Sequence, residues 1–146
     1  LITDPKKRFQ KKMGFIDFGE LNAYTNEIIE KFNVKTTGVS ALASSLSGGN
    51  LQKFVVGREI GQKPSLFIVN QPTWGVDALS AANIRQAIVD IANTGAAIIL
   101  ISQDLDEILE ISNKVAFLTN GNLSIPTNTM DIKTDEIGAI MGGISD

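Results

Sequence analysis

Two short apolar runs, separated by one helix length, constrain this chain most. Leu66-Phe67-Ile68-Val69 is unbroken and bounded by turn residues, Pro64 before it and Asn70-Gln71-Pro72 after it. A second run covers residues 96–101. Runs this short and this continuous suit strands of a parallel sheet covered on both faces. Between them, Asp77 stands where it can cap a helix over roughly residues 79–93, with Ile84, Ile88 and Ile91 inward and Gly95 just past its end. Strand, helix, strand in that order predicts an α/β fold, a parallel sheet flanked by helices.

Upstream of the first run, residues 48–61 read as a helix. Leu51, Phe54, Val55 and Ile60 recur at helical spacing, and Gln62-Lys63-Pro64 ends the pattern. Ser47 is placed to cap this helix with its hydroxyl. Gly48 and Gly49 let another molecule approach the backbone. Bare N–H groups, a hydroxyl and no bulky side chain at a helix start suit a phosphate. An ordinary capped helix preceded by glycines is the competing reading. Residues 19–32 form an amphipathic helix, with Leu21, Tyr24, Ile28 and Phe32 on one stripe and Asn22, Asn26, Glu27 and Glu30 on the other. Residues 33–45 are a Thr-, Ser- and Gly-rich loop. Downstream, Leu105, Ile108, Leu109 and Ile111 mark a short helix. Residues 114–118 and 123–125 flank Asn120-Gly121-Asn122, a hairpin turn. Thr134, with Asp135 and Glu136 behind it, caps a last helix.

Charge and composition exclude several classes of function. A net charge of −3 argues against a nucleic-acid binder. The chain has no cysteine, so it has neither a disulfide framework nor thiol chemistry, and no histidine, the commonest general base and metal ligand. No apolar run approaches the ~20 residues of a membrane span, and no signal peptide is visible. Lys6, Lys7, Arg8, Lys11 and Lys12 crowd the polar segment of residues 1–14. That cluster reads either as a solvated, mobile segment or as a contact for anionic lipid or a partner. The chain opens on Leu1 and holds no Gly-x-x-x-x-Gly-Lys-Ser/Thr loop. The expectation is a piece of a longer polypeptide.

In combination these motifs resemble a known family. Leu46-Ser47-Gly48-Gly49-Asn50 is followed by Gln52-Lys53, then by a strand ending in Asn70-Gln71-Pro72-Thr73, then by Gly75-Val76-Asp77. The second strand runs into Gln103-Asp104-Leu105-Asp106-Glu107-Ile108. This order resembles the carboxyl-terminal part of an ABC-transporter ATPase domain over nearly the whole chain. Its variant motifs resemble the second nucleotide-binding half of simple sugar (ribose/galactose-type) and nucleoside importers. The resemblance implies a partial P-loop-type sheet. Residues 1–64 would form a helical, signature-bearing portion, and residues 65–146 part of the RecA-like core.

The resemblance also implies ATP and Mg²⁺ as cofactors, both requiring a phosphate loop or partner half that this chain lacks. Such ATPases work as head-to-tail pairs. Ser47, Gly48, Gly49, Asn50, Gln52 and Asp77 would then be cofactor-binding residues that complete a partner's site. This half's own site departs from the family. Asn70 stands where the magnesium-associated Asp is expected, Gln71 at the catalytic Glu, and Gln103 at the His that contacts the γ-phosphate. A general base is worth ~10²–10⁴ in rate, and an amide cannot serve as one. Trp74 replaces an expected basic residue and Leu51 an expected Gln. The acids at 104, 106 and 107 are expected to cap the next helix and face water.

Implied partners are the first nucleotide-binding half of the same polypeptide, transmembrane permease subunits and, indirectly, an extracytoplasmic substrate-binding protein. The implied location is peripheral, at the cytoplasmic face of the membrane. A non-catalytic regulatory or scaffold half, and an ABC protein without a membrane partner, are the alternatives. The chain alone is expected to be inactive as an ATPase and to self-associate through open strand edges.

Overall fold

Asp17 starts the first helix. Its carboxylate accepts the N–H groups of Gly19 and Glu20 at 3.0 and 3.2 Å, satisfying two donors that the helix cannot. Helix α1 (Phe18–Lys31) follows and ends where Asn33 turns left-handed at φ 48°. The computed structural model containing it describes residues 8–132 and divides into two compact units, Leu1–Ile101 and Ser102–Asp146. The expected helix at Thr134 lies outside the described residues. Within the described part of the basic segment, Gln10 and Ile16 bridge antiparallel across a tight turn.

In the first unit, α1 packs on helix α2 (Gly48–Gly61). Tyr24, Ile28, Phe32 and Val34 are buried against Val56, Gly57 and Ile60. Two glycines one turn apart set the approach. A Cβ on Gly57 would lie 2.5 Å from the Phe32 ring, and one on Gly61 would collide with the Tyr24 hydroxyl. That hydroxyl donates to the Arg58 carbonyl at 2.7 Å. The inner face of α2 therefore differs from the expected stripe. Leu51 is exposed and Phe54 and Val55 are half-buried, whereas Lys53, Val56, Gly57 and Ile60 point inward. Lys53 can be buried because its ammonium donates to the Asn33 carbonyl at 2.8 Å, just past the end of α1.

Strands β1 (Leu66–Asn70) and β2 (Ala97–Ile101) pair in parallel, Leu66 opposite Ala97 and Asn70 opposite Ile101. Two flanking bonds extend the ladder, from Ala97 N–H to the Ser65 carbonyl (2.9 Å) and from Gln71 N–H to the Ile101 carbonyl (2.8 Å). Helix α3 (Ala78–Asn93) forms the crossover and buries Ile84, Ala87, Ile88 and Ile91. Gly95, at φ 97°, supplies the left-handed residue beyond its end. The parallel α/β arrangement is as expected, but the strands are not covered on both faces. Phe67 and Val69 point inward, while Leu66, Ile68 (59% exposed), Ile99 and Ile101 form an open apolar face. Burial alternates along β1, as for a sheet covered on one face by the helices of this unit.

The second unit holds helix α4 (Leu105–Ile111), a pairing of β3 (Lys114–Val115) with β6 (Thr127–Asn128), and the β4–β5 hairpin (Leu118–Thr119, Asn122–Leu123). Asn120 and Gly121 take φ of 51° and 79°, as a two-residue type I′ turn demands. The hairpin is shorter than expected. Ser124 exchanges bonds with Phe117 and extends it slightly, but Pro126 lacks an N–H, and Lys114–Val115 pairs with Thr127–Asn128 instead.

The close approach of α1 and α2 is testable. Gly57→Ala should lower the unfolding free energy in urea by up to about 2 kcal/mol, overpacking of about 1–3 set against about 1 from helix propensity. A stabilised variant would show that Phe32 does not press on position 57.

Candidate anion site at the start of the second long helix

Four of the residues singled out from sequence meet at the first turn of α2. Ser47 takes the N-cap position with extended backbone (φ −64°, ψ 156°), but its hydroxyl does not cap the helix. Instead Ser47 Oγ accepts a hydrogen bond from Asn50 Nδ2 at 2.8 Å. Asn50 Oδ1 in turn accepts the Lys35 N–H at 2.8 Å. Asn50 is thus spent on both ends, tying the loop after α1 to the helix start. The arrangement differs from the expected cap and leaves more donors open. Ser47 keeps its own proton to give outward. The N–H groups of the first turn have no side-chain acceptor among the described residues. The helix dipole adds positive potential at the same point.

The two glycines serve different ends. A Cβ on Gly48 would meet nothing within 4 Å, so its face is open to a ligand. A Cβ on Gly49 would sit 2.6 Å from the Gly75 carbonyl oxygen. That position is taken by the chain's own loop rather than left for a visitor. Gln52 reinforces the contact. Its amide nitrogen donates to the carbonyls of Gln71 and Pro72 at 3.0 and 3.1 Å. The start of α2 and the loop after β1 are therefore one framework. Sequence reasoning placed Gln52 at a ligand; the structure shows it bracing this loop.

That loop carries the remaining candidates of the first unit. Asn70 ends β1 on its exposed face. Gln71 is left-handed (φ 50°), and its carbonyl also accepts the Trp74 N–H at 3.2 Å. Trp74, which stands where a basic residue was expected, is 79% exposed. Asp77 caps α3, Oδ1 accepting the Ser80 N–H at 2.9 Å and Oδ2 the Ser80 hydroxyl at 2.7 Å. These bonds hold its carboxyl below the usual aspartate range. In the second unit Gln103 is exposed, and Asp104 caps α4 through the Glu107 N–H. Glu107 departs from the expectation that these acids face water. It is 1% exposed, in register with Ile111 one turn on, and neither carboxylate oxygen has a hydrogen-bond partner among the described residues.

The chemistry of the donor set is one-sided. Hydroxyl and backbone N–H groups at the α2 start fit the oxygens of a phosphate. Asn70 and Gln71 offer a divalent cation only neutral amide oxygens, without the carboxylate charge that such sites ordinarily include. No group of three or more His, Cys, Asp or Glu among the described residues could hold a metal ion. No described helix is long and apolar enough to cross a membrane.

Known proteins similar to this chain are numerous. The glucose import ATP-binding protein of Haloferax volcanii is 39% identical over 133 residues, 90% of this chain and 24% of that protein. The nucleoside import ATP-binding protein of Lactococcus lactis is 37% identical over 132 residues, again 90% of this chain and 26% of that protein. The galactose/methyl galactoside import ATP-binding protein of Escherichia coli is 32% identical over 131 residues, with the same 90% and 26% shares. The chain thus spans about a quarter of the length of these curated relatives. No family model matches it. Among solved structures, a dimeric ATP-binding cassette in a post-hydrolysis state with ADP and Pi superposes with a TM-score of 0.69 at 18% identity, over 82% of this chain and 51% of that one. An inward-facing metal-chelate type ABC transporter gives 0.70 at 18% identity, over 94% and 54%. At these identities the structural likeness establishes the fold.

The Asp77 cap has a pH signature. A depressed carboxyl stabilises the fold above its unfolded pKa and loses that contribution as pH falls through the folded value. Asp77→Ala should therefore unfold at lower urea than the parent at about pH 7, and the two midpoints should converge as the pH drops below the usual aspartate range. A gap that persisted in acid would mean the cap does not depend on the charge.

Proposed function

We propose that this chain, homologous over nine-tenths of its length to sugar and nucleoside import ATP-binding proteins and folded as an ABC ATPase, is part of the second nucleotide-binding half of such an importer's ATPase. Residues 1–64 supply the helical signature-bearing portion and residues 65–146 part of the RecA-like core. The observation that carries the reading is the start of α2. Gly48 is open, Ser47 holds a free hydroxyl proton, and the first-turn N–H groups have no side-chain acceptor. Ser47, Gly48 and Gly49 present these donors to the terminal phosphate of ATP held by the first half of the same polypeptide. Asn50 and Gln52 position the donors. When bound, ATP supplies the phosphoryl group whose hydrolysis drives uptake of a simple sugar or nucleoside. Permease subunits couple to it, and an extracytoplasmic receptor delivers the substrate.

The chain's own half-site does not perform that chemistry. Asn70 brings no negative charge to a magnesium ion. Gln71 and Gln103 are neutral amides, unable to take a proton from water. The left-handed backbone of Gln71, fixed by bonds to Ile101 and Gln52, supports a role in shaping the loop beside the signature turn. The assembled protein would be asymmetric, with one working site and one structural site, at the cytoplasmic face of the membrane. The isolated chain would neither hydrolyse ATP nor bind it tightly, because it brings no phosphate loop. A purely scaffolding half is the second reading, and the same experiment separates the two.

In the full-length protein, Ser47→Arg should lower ATP turnover by about tenfold or more, since it fills the gap at Gly48 and removes a donor. Gln71→Ala should leave turnover within about twofold, because that position carries no base to lose. Full activity in Ser47→Arg would favour the scaffold. Loss of activity in Gln71→Ala alone would reverse the assignment of the two sites.

A further inference from the structure

Lys53 lies about one and a half turns into α2 and is only 5% exposed, and the nucleotide reading gives it no task. A buried ammonium is costly unless a strong acceptor receives it. Among the described residues it forms no ion pair. What receives it is the Asn33 carbonyl, at 2.8 Å. That carbonyl is presented by the way α1 ends. Val34 N–H reaches back to the Ile29 carbonyl at 2.9 Å and Asn33 N–H to the Glu30 carbonyl at 3.2 Å, a Schellman motif with Asn33 left-handed at φ 48°. The motif satisfies the carbonyls of Ile29 and Glu30 and leaves that of Asn33 to Lys53. The end of α1 is also the negative end of its dipole, which suits a cation.

Two residues on, the same segment meets α2 again. Lys35 N–H donates to Asn50 Oδ1 at 2.8 Å, and Asn50 Nδ2 donates to Ser47 Oγ at 2.8 Å. Asn50 and Lys53 stand three apart and so share one side of α2. Together they grip the segment after α1 at two points, the carbonyl of residue 33 and the N–H of residue 35. The links run without a gap from the Lys53 ammonium to the serine oxygen. Were the Asn33 carbonyl released, Lys35 N–H would no longer be held on Asn50. The Asn50 amide could then turn, and Ser47 Oγ would lose the donor that keeps its own proton directed outward.

We propose that Lys53 is a positioning residue for the anion site: through Asn33, Lys35 and Asn50 it fixes the Ser47 hydroxyl as a donor toward the phosphate. The role rests on the proposed reading of the turn at Ser47. Its test is steady-state ATP turnover of the full-length protein in a double-mutant cycle, with a thermal midpoint for each variant. Lys53→Met fills similar space without a donor and should lower kcat/KM by about tenfold. Lys53→Arg keeps a cationic donor and should stay within about threefold of the parent. Beside Ser47→Ala, Lys53→Met should cost no more than about twofold further, since the hydroxyl it orients is gone. A merely structural lysine would cost the same factor in both backgrounds. If Lys53→Met unfolds below the assay temperature, Lys53→Gln, whose shorter neutral amide falls short of the carbonyl, takes its place in the cycle. Hydrogen exchange reads the relay itself: the Lys35 amide should exchange about tenfold faster in Lys53→Met than in Lys53→Arg, with the amides of α3 unchanged. Parental turnover in Lys53→Met, an equal loss in both backgrounds, or an unchanged Lys35 amide overturns the assignment and leaves the anion turn standing. Parental turnover in Ser47→Ala instead removes the anion turn itself, and the role of Lys53 with it.

Discussion

The contact between Gly49 and Gly75 governs the arrangement of everything around it. No other residue at 49 would let the first turn of α2 lie against the carbonyl of Gly75 without displacement. Once there, Gln52 reaches the Gln71 and Pro72 carbonyls, and its bonds fix the path of the loop leaving β1. Gln71 then takes its left-handed turn, with its N–H on β2 and its carbonyl on α2. Asp77 follows at the proper place to start α3, which packs back on β2 and α2. A helix start, a strand end and a second helix start are thus linked by a single close approach of two backbones.

That framework explains why donors and acids part company. The turn at Ser47 is kept rich in donors because Asn50 takes the serine oxygen as acceptor and leaves the proton free. On the proposed reading, the loop it rests on carries amides, Asn70 and Gln71, at the positions where hydrolysis would demand carboxylates. Such a loop can still be shaped by hydrogen bonds, and an amide shapes it at least as well as an acid: the bonds that hold Gln71 involve its backbone. Amides at 70 and 71 therefore need not loosen the turn at Ser47 that is proposed to meet the anion. An asymmetric pair of sites can be maintained on these terms.

Much of this was legible in the sequence because local rules and tertiary demands agreed. The helix over residues 48–61, the Asp77 cap and the Asn120-Gly121 turn follow from residue chemistry that no distant contact overrides. What escaped was decided by partners far along the chain. Nothing near Lys53 in the sequence announces the Asn33 carbonyl that receives its ammonium and lets it be buried. Nothing local to Gly57 and Gly61 announces that Phe32 and Tyr24 press against them. Ser47 offers the helix a cap, and only the nearby Asn50 amide shows why the hydroxyl turns elsewhere. The strands look doubly buried from composition, but burial depends on how many helices and strands lie alongside. The one signal that was available and missed is Glu107, whose spacing from Ile111 puts it on the inner side of α4.

The central claim is that Ser47, Gly48 and Gly49 face the terminal phosphate of a nucleotide held by another half. Photolabelling tests it most directly, using the full-length protein with its permease and an ATP analogue whose photoreactive group sits on the γ-phosphate. Peptide mapping should find the label on the segment containing residues 47–50. Label confined to the segments containing Asn70, Gln71 or Gln103, with residues 47–50 untouched, would contradict the account.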